Sequence, residues 1–306
     1  MIPSMDEESH QPLIAPDPAD PRLTRRLAGL DQNGRPVEAS VVVERPLTLF
    51  LNSREVVTMM TVGDYPLHLA VGYLINQDML RRDDVLTGLD YDDEIDVVVI
   101  RTERTTDYEA KLAKKVLTSG CAQGTLFGDI MEKFDRTVLD RDARLHTSWL
   151  HGLLKSINTM PSLYLAAGAI HGCVLCEEDR PLIYMEDVGR HNAVDKIAGF
   201  MFLNDIPARG KILYTTGRLT SEMVLKTVQM EIPILISRSG FTAWGVDLAR
   251  RAGLTLIGRA RGKRFMALAG EERIVFDNVE ESGMIQTPDD EPRASRRKAS
   301  LADDVD

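Results

Sequence analysis

Among the residues of this sequence that could form a covalent intermediate, the cysteine at position 121 has the most favourable setting. It lies in the segment TSGCAQG (118–124), whose small and polar residues predict an exposed loop. Lys114 and Lys115 precede the loop and would favour the thiolate form of Cys121 if they lie close to its sulfur. Because the thiolate is the form that attacks electrophiles or carries sulfur, the sequence predicts Cys121 as a nucleophile or sulfur-transfer residue.

The other two cysteines, Cys173 and Cys176, have CxxC spacing but are predicted to be structural. They fall in an apparent strand, where residues three apart point to opposite faces, whereas a chelating or redox CxxC needs a turn or a helix N-terminus. The sequence has no second CxxC to complete a tetrahedral zinc site, and three cysteines do not make a disulfide framework. We therefore expect reduced, buried thiols and no metal site.

Four successive predicted strands end beside an arginine. The carboxyl ends of parallel strands meet at one edge of a sheet, and ligands bind at that edge. Guanidinium groups, backbone N–H groups and helix N-termini gathered there would bind phosphates or another multivalent anion. The spacing matches neither a P-loop nor a dinucleotide fingerprint, so ATP and NAD are not indicated. The residues predicted to form this anion site are Arg190, His191, Gly217, Arg218, Ser237, Arg238, Arg259, Ala260, Arg261, Gly262, Lys263 and Arg264.

His171 begins a His-Gly-Cys sequence that can be compared with the H-x-E motif of zinc-dependent deaminases. The proton-shuttling glutamate of that motif is absent because position 173 is a cysteine, and no Pro-Cys-x-x-Cys follows. A ligand-binding role and a hydrogen-bonded position inside the sheet both remain open for His171.

The pattern of apolar residues predicts an α/β protein. After residue 170, short apolar strands alternate with amphipathic helices, which indicates a layered α/β domain with a largely parallel sheet. Strand-like runs within 37–61 and 97–100 indicate a smaller β-rich N-terminal subdomain, with a helix that starts near Pro66 and has Asp64 or its neighbour as cap. The predicted boundaries are a disordered tail at 1–33, the β-rich subdomain at 34–117, the α/β domain at 118–279, which begins with the Cys121 loop, and a disordered acidic tail at 280–306.

The net charge of −10 is unevenly distributed over the 306 residues. Residues 1–33 contain six acidic and three basic side chains, and residues 280–306 contain eight acidic and four basic ones. Residues 209–264, in contrast, contain eleven basic and three acidic side chains. The acidic total argues against a nucleic-acid partner, while the basic segment fits an anion site. With no apolar run long enough to span a membrane and no secretory signal, a cytoplasmic protein without a membrane partner is expected.

Several longer strings of the sequence can be compared with known families. They are EDVGRHNAVDK (186–196), TTGRLTSEMVLK (215–226), IPILISRSG (232–240), GLTLIGRARGKRF (253–265), TSGCAQG (118–124) and RPLTLFLN (45–52). In these strings the chain resembles the formate dehydrogenase accessory protein family, the FdhD-type sulfurtransferases. The similarity spans about residues 37–276 and leaves out only the tails.

This resemblance implies a cytidine-deaminase-like α/β fold without the deaminase zinc site. It implies a sulfur carrier that accepts sulfur from a cysteine desulfurase as a persulfide on Cys121. The sulfur would pass to a bound molybdenum or tungsten cofactor, Mo-bis(molybdopterin guanine dinucleotide) or its tungsten equivalent, before the cofactor enters formate dehydrogenase. The family's cofactor-binding stretch corresponds to 259–264, and its members are commonly homodimers. In such a site Asp187 would accept hydrogen bonds from a guanine edge or would cap a helix.

Two positions depart from the family pattern. Gly124 stands where many members have a second loop cysteine, so a relay here would use a single-cysteine persulfide. Arg259 stands in place of an aromatic residue and adds charge where the cofactor would lie. Three alternatives remain: a cofactor-binding chaperone that transfers no sulfur, a zinc-dependent deaminase-like enzyme, and a maturation factor for another molybdoenzyme.

Overall fold

The computed structural model describes residues 12–104 and 127–277. A six-stranded sheet, called the main sheet below, organises most of its second half. Its strands are β8 (His171–Glu177), β9 (Arg180–Asp187), β10 (Lys211–Thr215), β11 (Ile234–Ser237), β12 (Thr255–Arg261) and β13 (Arg264–Ala269), in the order β13-β12-β11-β10-β8-β9. β11 is parallel to both β10 and β12, and the other three neighbouring pairs are antiparallel.

The prediction of a largely parallel sheet is correct for β10 to β12 and wrong for the strands on either side. Only Glu178 and Asp179 connect β8 to β9, and only Gly262 and Lys263 connect β12 to β13. A two-residue connection can join antiparallel neighbours but is too short to cross over between parallel ones. The segment 259–264, predicted as a loop, therefore belongs to a β-hairpin.

Seven α-helices occur within the described ranges, and none of them is long and apolar enough to cross a membrane. They are α1 (Pro66–Asn76), α2 (Phe127–Arg136), α3 (Thr147–Thr159), α4 (Leu163–Ala167), α5 (Arg190–Leu203), α6 (Ser221–Gln229) and α7 (Ala243–Ala252). Helices α5, α6 and α7 follow β9, β10 and β11 and return the chain to the opposite edge of the main sheet. β9 is antiparallel to β8, which is antiparallel to β10, so β9 runs in the direction of β10 to β12. The predicted meeting of four strand ends at one edge is thus correct.

A second sheet occupies the N-terminal part of the chain. Its strands are β3 (Arg45–Leu51), β4 (Arg54–Thr61), β5 (Leu86–Asp92) and β6 (Val97–Thr102), in the order β4-β3-β6-β5. Alternation along β3 buries Leu47, Leu49 and Leu51, which join the same hydrophobic core as α1, α5 and one face of the main sheet. A β-rich N-terminal region is therefore present, while the predicted subdomain boundaries stay an interpretation because the core is continuous across them.

The two faces of the main sheet contribute to different cores, and the CxxC pair is divided between them. Cys173 lies in the core shared with α1 and α5, whereas Cys176 lies in the core covered by α3. Both side chains are fully buried, and burial raises the pKa of Cys173 to about 12 and that of Cys176 further. The prediction of buried structural thiols on opposite faces is confirmed, and this placement does not suit a deaminase zinc site.

The prediction of disorder for residues 1–33 is wrong from residue 12 onward. The Leu13 N–H donates to the Leu182 carbonyl at 2.8 Å, and the Tyr184 N–H donates to the Ile14 carbonyl at 2.9 Å. β1 (Thr24–Leu30) pairs with β2 (Pro36–Val42) along its whole length. Backbone hydrogen bonds between strands form without apolar side chains. For this reason the polar composition of the segment did not reveal its pairing. Residues 1–11, residues 105–126 with the Cys121 loop, and residues 278–306 with the predicted acidic tail lie outside the described residues.

Helices α1 and α5 cross in direct backbone contact at two glycines. A β-carbon at Gly72 would lie 1.7 Å from the carbonyl oxygen of Asp195, and one at Gly199 would lie 1.9 Å from that of His68. Non-bonded heavy atoms do not approach so closely. Glycine at both positions therefore allows α1, which connects β4 to β5 of the second sheet, to pack on the helix that follows β9.

Candidate anion-binding site

The carboxyl edge of the main sheet carries a group of cationic and aromatic side chains, the strand-end cluster. Its arginines on β12, β13 and the loop after β10 are exposed, and its other members are half-buried. Hydrogen bonds between successive loops bring these positions together. The members of the strand-end cluster are Tyr164, His171, Arg190, Arg218, Arg238, Arg259, Arg261 and Arg264.

His171 begins β8 at this edge and is hydrogen-bonded within the sheet. Its Nδ1 lies 3.3 Å from Oγ1 of Thr216, and the same hydroxyl oxygen accepts the Gly172 N–H at 3.0 Å. Burial, followed by the charges of Arg190 and Arg218 among others, lowers the pKa of His171 below its usual range. The ring is therefore neutral at neutral pH, and two cations of the cluster lie near it. Thr216 directly follows β10, so the strand-end rule that selected Gly217 and Arg218 would also have found it.

Two further contacts join the loops that follow β9, β10 and β11. The Arg190 side chain covers Gly217, where a β-carbon would lie 2.8 Å from Arg190 Cδ. The Ser237 hydroxyl donates to the Gly217 carbonyl at 2.6 Å and accepts the Ser239 N–H at 2.9 Å. Ser237 is fully buried, so its hydroxyl ties two loops together and does not face a ligand, contrary to the prediction.

The hairpin of β12 and β13 joins the cluster through the backbone. The Arg259 N–H donates to the Ser239 carbonyl at 2.7 Å. Arg259 lies in a bulge with φ 53°, in the left-handed region that non-glycine residues rarely adopt. The neighbouring Ala260 is 1% exposed and packs into the core beneath α3, so its side chain is not a ligand contact as predicted. Arg259, Arg261, Gly262, Lys263 and Arg264 are all exposed.

Replacement of Arg259 by glycine is expected to raise the free energy of unfolding by about 0.5–1 kcal/mol, because glycine adopts this backbone conformation without steric cost. The same change should weaken binding of inorganic pyrophosphate, because it removes a cluster cation. Urea denaturation and calorimetric titration measure the two effects. Arg251→Gly, inside α7, is the control and should lower stability by about 1 kcal/mol. Destabilisation by both variants would contradict the role of the bulge.

Tyr164 was not among the predicted site residues. It lies on α4, and Cζ of Arg238 is 5.2 Å from its ring centroid, a cation–π arrangement. Burial raises the pKa of the nearby Tyr214 hydroxyl to about 12, while the charges of Arg238 and Arg261 act in the opposite direction. Both guanidinium groups therefore contribute positive potential at the same hydroxyl. No sequence pattern marks Tyr164, because only the tertiary fold brings α4 to this edge.

Asp187 is fully buried, and the protein itself occupies its carboxylate. Oδ2 accepts the Thr61 hydroxyl at 2.5 Å and pairs with Lys196 Nζ at 2.6 Å, while Oδ1 accepts Asn192 Nδ2 at 3.0 Å. Gly189 holds the N-cap position of α5. Neither the guanine contact nor the helix cap predicted for Asp187 fits this geometry.

Lys196 is a completely buried cation that joins the two sheets. Besides Asp187, its ammonium group contacts the Asp64 carboxylate and donates to the Glu186 carbonyl at 2.8 Å. Burial raises the pKa of Asp64 more than the charge of Lys196 lowers it. Of the two predicted caps of α1, it is Tyr65 that holds the N-cap position, with φ 48°, because the Asp64 carboxylate is used by Lys196.

His191 faces α6 and not the exposed edge, contrary to the prediction of a ligand contact. Its Nε2 lies 3.1 Å from the Glu222 carboxylate, and its side chain is 14% exposed. Burial lowers its pKa, while the hydrogen bond with Glu222 acts in the opposite direction. One turn further along α5, Asp195 accepts Lys226 Nζ at 2.6 Å. His191 and Asp195 thus fix α5 to α6.

The strand-end cluster has the charge and hydrogen-bond donors that suit a multivalent anion, and the Cys121 loop lies outside the described residues. Within the described ranges, no group of three or more His, Cys, Asp or Glu side chains could hold a metal ion. Two cavities of about 830 and 460 Å³ share Ile75, Arg82 and Gln229 and lie at the opposite edge of the main sheet. Neither of these two cavities includes a member of the strand-end cluster.

Comparison with known proteins gives a consistent result. Residues 42–275 match the sequence profile of the FdhD/NarQ family. "Sulfur carrier protein FdhD" of Bacillus pumilus is 30% identical over 236 residues, covering 76% of this chain and 90% of that protein. The protein of the same name from Wolinella succinogenes is 32% identical over 232 residues, covering 74% and 79%. The crystal structure of a "putative formate dehydrogenase accessory protein" from Desulfotalea psychrophila superposes with a TM-score of 0.67 and 25% identity, over 83% of this chain and all of that one.

Proposed function

Because this chain belongs to the FdhD/NarQ family, we propose that it is a sulfur carrier for the maturation of formate dehydrogenase. Cys121 accepts sulfur from a cysteine desulfurase, and the strand-end cluster binds the acceptor, a molybdenum or tungsten bis(guanine dinucleotide) cofactor. The observation that carries this proposal is the convergence of Arg190, Arg218, Arg238 and the hairpin arginines on one edge. The protein acts in the cytoplasm as a homodimer, and its fold is related to that of cytidine deaminases.

The cationic edge suits the pyrophosphate groups of such an acceptor. Guanidinium groups pair with phosphate oxygens in a bidentate manner, and the exposed side chains of Arg218, Arg261 and Arg264 are free to turn toward them. Neutral His171, at the start of β8, adds a polar group to the edge without adding a charge. Two acidic side chains near the edge, Asp187 and Glu222, are paired with Lys196 and His191 and so repel a bound anion less.

Sulfur transfer to Cys121 needs no oxidant. The Cys121 thiolate attacks the outer sulfur of the desulfurase persulfide, a new S–S bond forms on Cys121, and the donor cysteine leaves as a thiolate. Gly124 supplies no second thiol to displace this sulfur, so the persulfide persists until the acceptor takes its outer sulfur. The buried, poorly acidic Cys173 and Cys176 cannot compete for it.

Sulfur loading tests the carrier role directly. After incubation with a cysteine desulfurase and cysteine, peptide mass spectrometry should find one added sulfur atom on the peptide that contains Cys121. The peptide that contains Cys173 and Cys176 serves as the internal control and should stay unmodified. Cys121→Ser should take up no sulfur and should fail to support formate dehydrogenase activity in cells. Full activity with Cys121→Ser, combined with loss of activity in Arg261→Ala, would instead identify a chaperone that only binds the cofactor.

Nucleotide titration tests the location of the acceptor. GDP should bind the wild-type protein, and Arg261→Ala should weaken binding by about tenfold or more, because it removes a charge-assisted hydrogen bond. Binding should weaken further as salt is raised. Arg209→Ala is the matched control, since Arg209 is exposed and lies at the amino end of β10, at the opposite edge. Equal affinity of Arg261→Ala and wild type for GDP would show that the hairpin of β12 and β13 is not part of the binding site.

A further inference from the structure

The short helix α4 lies beside the strand-end cluster and is held there by the buried side chain of Glu186. Glu186 is the next-to-last residue of β9 and is 1% exposed. Its Oε2 accepts the Leu163 N–H at 2.7 Å, and its Oε1 accepts the Tyr164 N–H at 2.9 Å. The two amide groups open the first turn of α4, so this carboxyl group, together with the Ser162 hydroxyl that accepts the Leu165 N–H at 3.3 Å, holds the start of the helix.

Tyr164 connects this anchor to the cluster. Its backbone N–H is bound by Glu186, while its ring lies 5.2 Å from Cζ of Arg238. An arginine side chain loses rotational freedom about several bonds when it becomes ordered, which costs conformational entropy. Contact with a flat aromatic ring in the free protein reduces the entropy that remains to be lost when a ligand binds. The position of the Arg238 guanidinium therefore depends on α4, and the position of α4 depends on Glu186.

We propose that Glu186 is a positioning residue of the anion site: its carboxyl group holds the first turn of α4, and that turn keeps the Tyr164 ring against the guanidinium of Arg238. The consequence for cofactor binding rests on the function proposed above. The anchoring itself is a property of the free protein and can be tested without a ligand.

The surroundings of Glu186 give this anchor a pH dependence. Besides the α4 amides, it faces the Tyr184 hydroxyl on its own strand, the Asp64 carboxylate at the start of α1, and the Lys196 ammonium of α5, which bonds its carbonyl. Burial outweighs the amide hydrogen bonds and raises the pKa of Glu186 from 4.5 to about 7. Protonation therefore favours the state in which α4 covers Glu186, and this preference is lost as the pH rises through about 7.

Titration of GDP over a pH series tests the proposal. The side chain of Glu186→Gln stays neutral at every pH and serves as the reference. The ratio of the GDP affinity of wild type to that of Glu186→Gln should fall about three- to tenfold as the pH rises through about 7. Because both proteins bind the same ligand, this ratio does not contain the effect of GDP ionisation on affinity. Glu186→Ala should bind weakly at every pH. In an Arg238→Ala background, neither Glu186 variant should weaken GDP binding further, because Glu186 acts on Arg238 through the Tyr164 ring.

The control is Glu177→Gln, which removes an acid at the far end of β8 and should keep the pH profile of wild type. Equal affinity of Glu186→Ala and wild type for GDP, or additive effects of the Glu186 and Arg238 substitutions, would overturn the proposal. If no variant binds GDP, the proposed function fails, but the anchor can still be assessed by NMR of the free protein. Exchange of the Leu163 and Tyr164 amide hydrogens with solvent should be slow in wild type and faster in Glu186→Ala, and equal exchange rates in the two proteins would refute the anchor.

Discussion

Lys196→Met is expected to lower the free energy of unfolding by about 3–5 kcal/mol, the cost of leaving a buried charge without its partner. Lys196 and Asp187 are both completely buried, and Asp64 shares the same ammonium group. Methionine fills a similar volume but leaves two carboxylates facing each other with no cation between them. The loss should diminish at acidic pH, because burial raises the pKa of Asp64 and its protonation removes one of the charges that the variant cannot compensate.

Equilibrium urea unfolding, followed by circular dichroism, measures this loss. Lys155→Met, on the exposed side of α3, is the matched control and should change stability by no more than about 0.5 kcal/mol. Combining Lys196→Met with Asp187→Asn should recover a large part of the loss, since one of the two unpaired charges is removed. Similar effects of the substitutions at 196 and 155 would show that the buried cluster does not stabilise the fold.

Gly199→Ala is expected to lower the free energy of unfolding by about 3 kcal/mol or more, at the upper end of the range for overpacking a core. The added β-carbon would lie 1.9 Å from the His68 carbonyl oxygen, and a backbone atom cannot rotate away as a side chain can. Helices α1 and α5 would have to separate, and this would disturb the contacts of Lys196 and Asp195 on the same helix.

Gly152→Ala provides the comparison for this second variant. Gly152 also lies inside a helix, but its nearest neighbour would be 3.7 Å from the new β-carbon, an ordinary contact. Alanine should stabilise α3 there by about 0.5–1 kcal/mol, because it removes the conformational entropy cost of glycine. Thermal and urea unfolding of both variants should give changes of opposite sign. Two changes of the same sign would mean that the close crossing of α1 and α5 does not limit the side chain at 199.

The part of the fold from Lys211 onward was predictable because its signals are local. β10, β11 and β12 are short apolar runs, and the helices between them have their own apolar periodicity. The direction of β8, β9 and β13 follows from two-residue turns, which the apolar pattern alone does not reveal. The pairing of Ile14 with β9 joins residues 169 positions apart and leaves no trace in composition. Long-range backbone pairing therefore could not be predicted from the sequence.

The candidate site was predicted at the level of strand ends but not of individual side chains. Arg218 and Arg261 are exposed at the edge, as their positions after strands suggested. Asp187 and His191 have the same sequence setting but are turned inward by Thr61 and Glu222. Sequence position shows that a polar residue is near the edge, but only its three-dimensional partners decide whether it faces solvent. The string EDVGRHNAVDK is therefore largely a buried polar framework that supports the site.

The contact between residues 13–14 and β9 covers one of the two edges of the main sheet. β9 is largely buried, and the open edge of such a strand is a template on which strands of other molecules can assemble. The N-terminal segment occupies the Leu182 carbonyl and the Tyr184 N–H from within the same chain. It thereby leaves fewer unpaired backbone groups on this edge for a strand of another molecule to join.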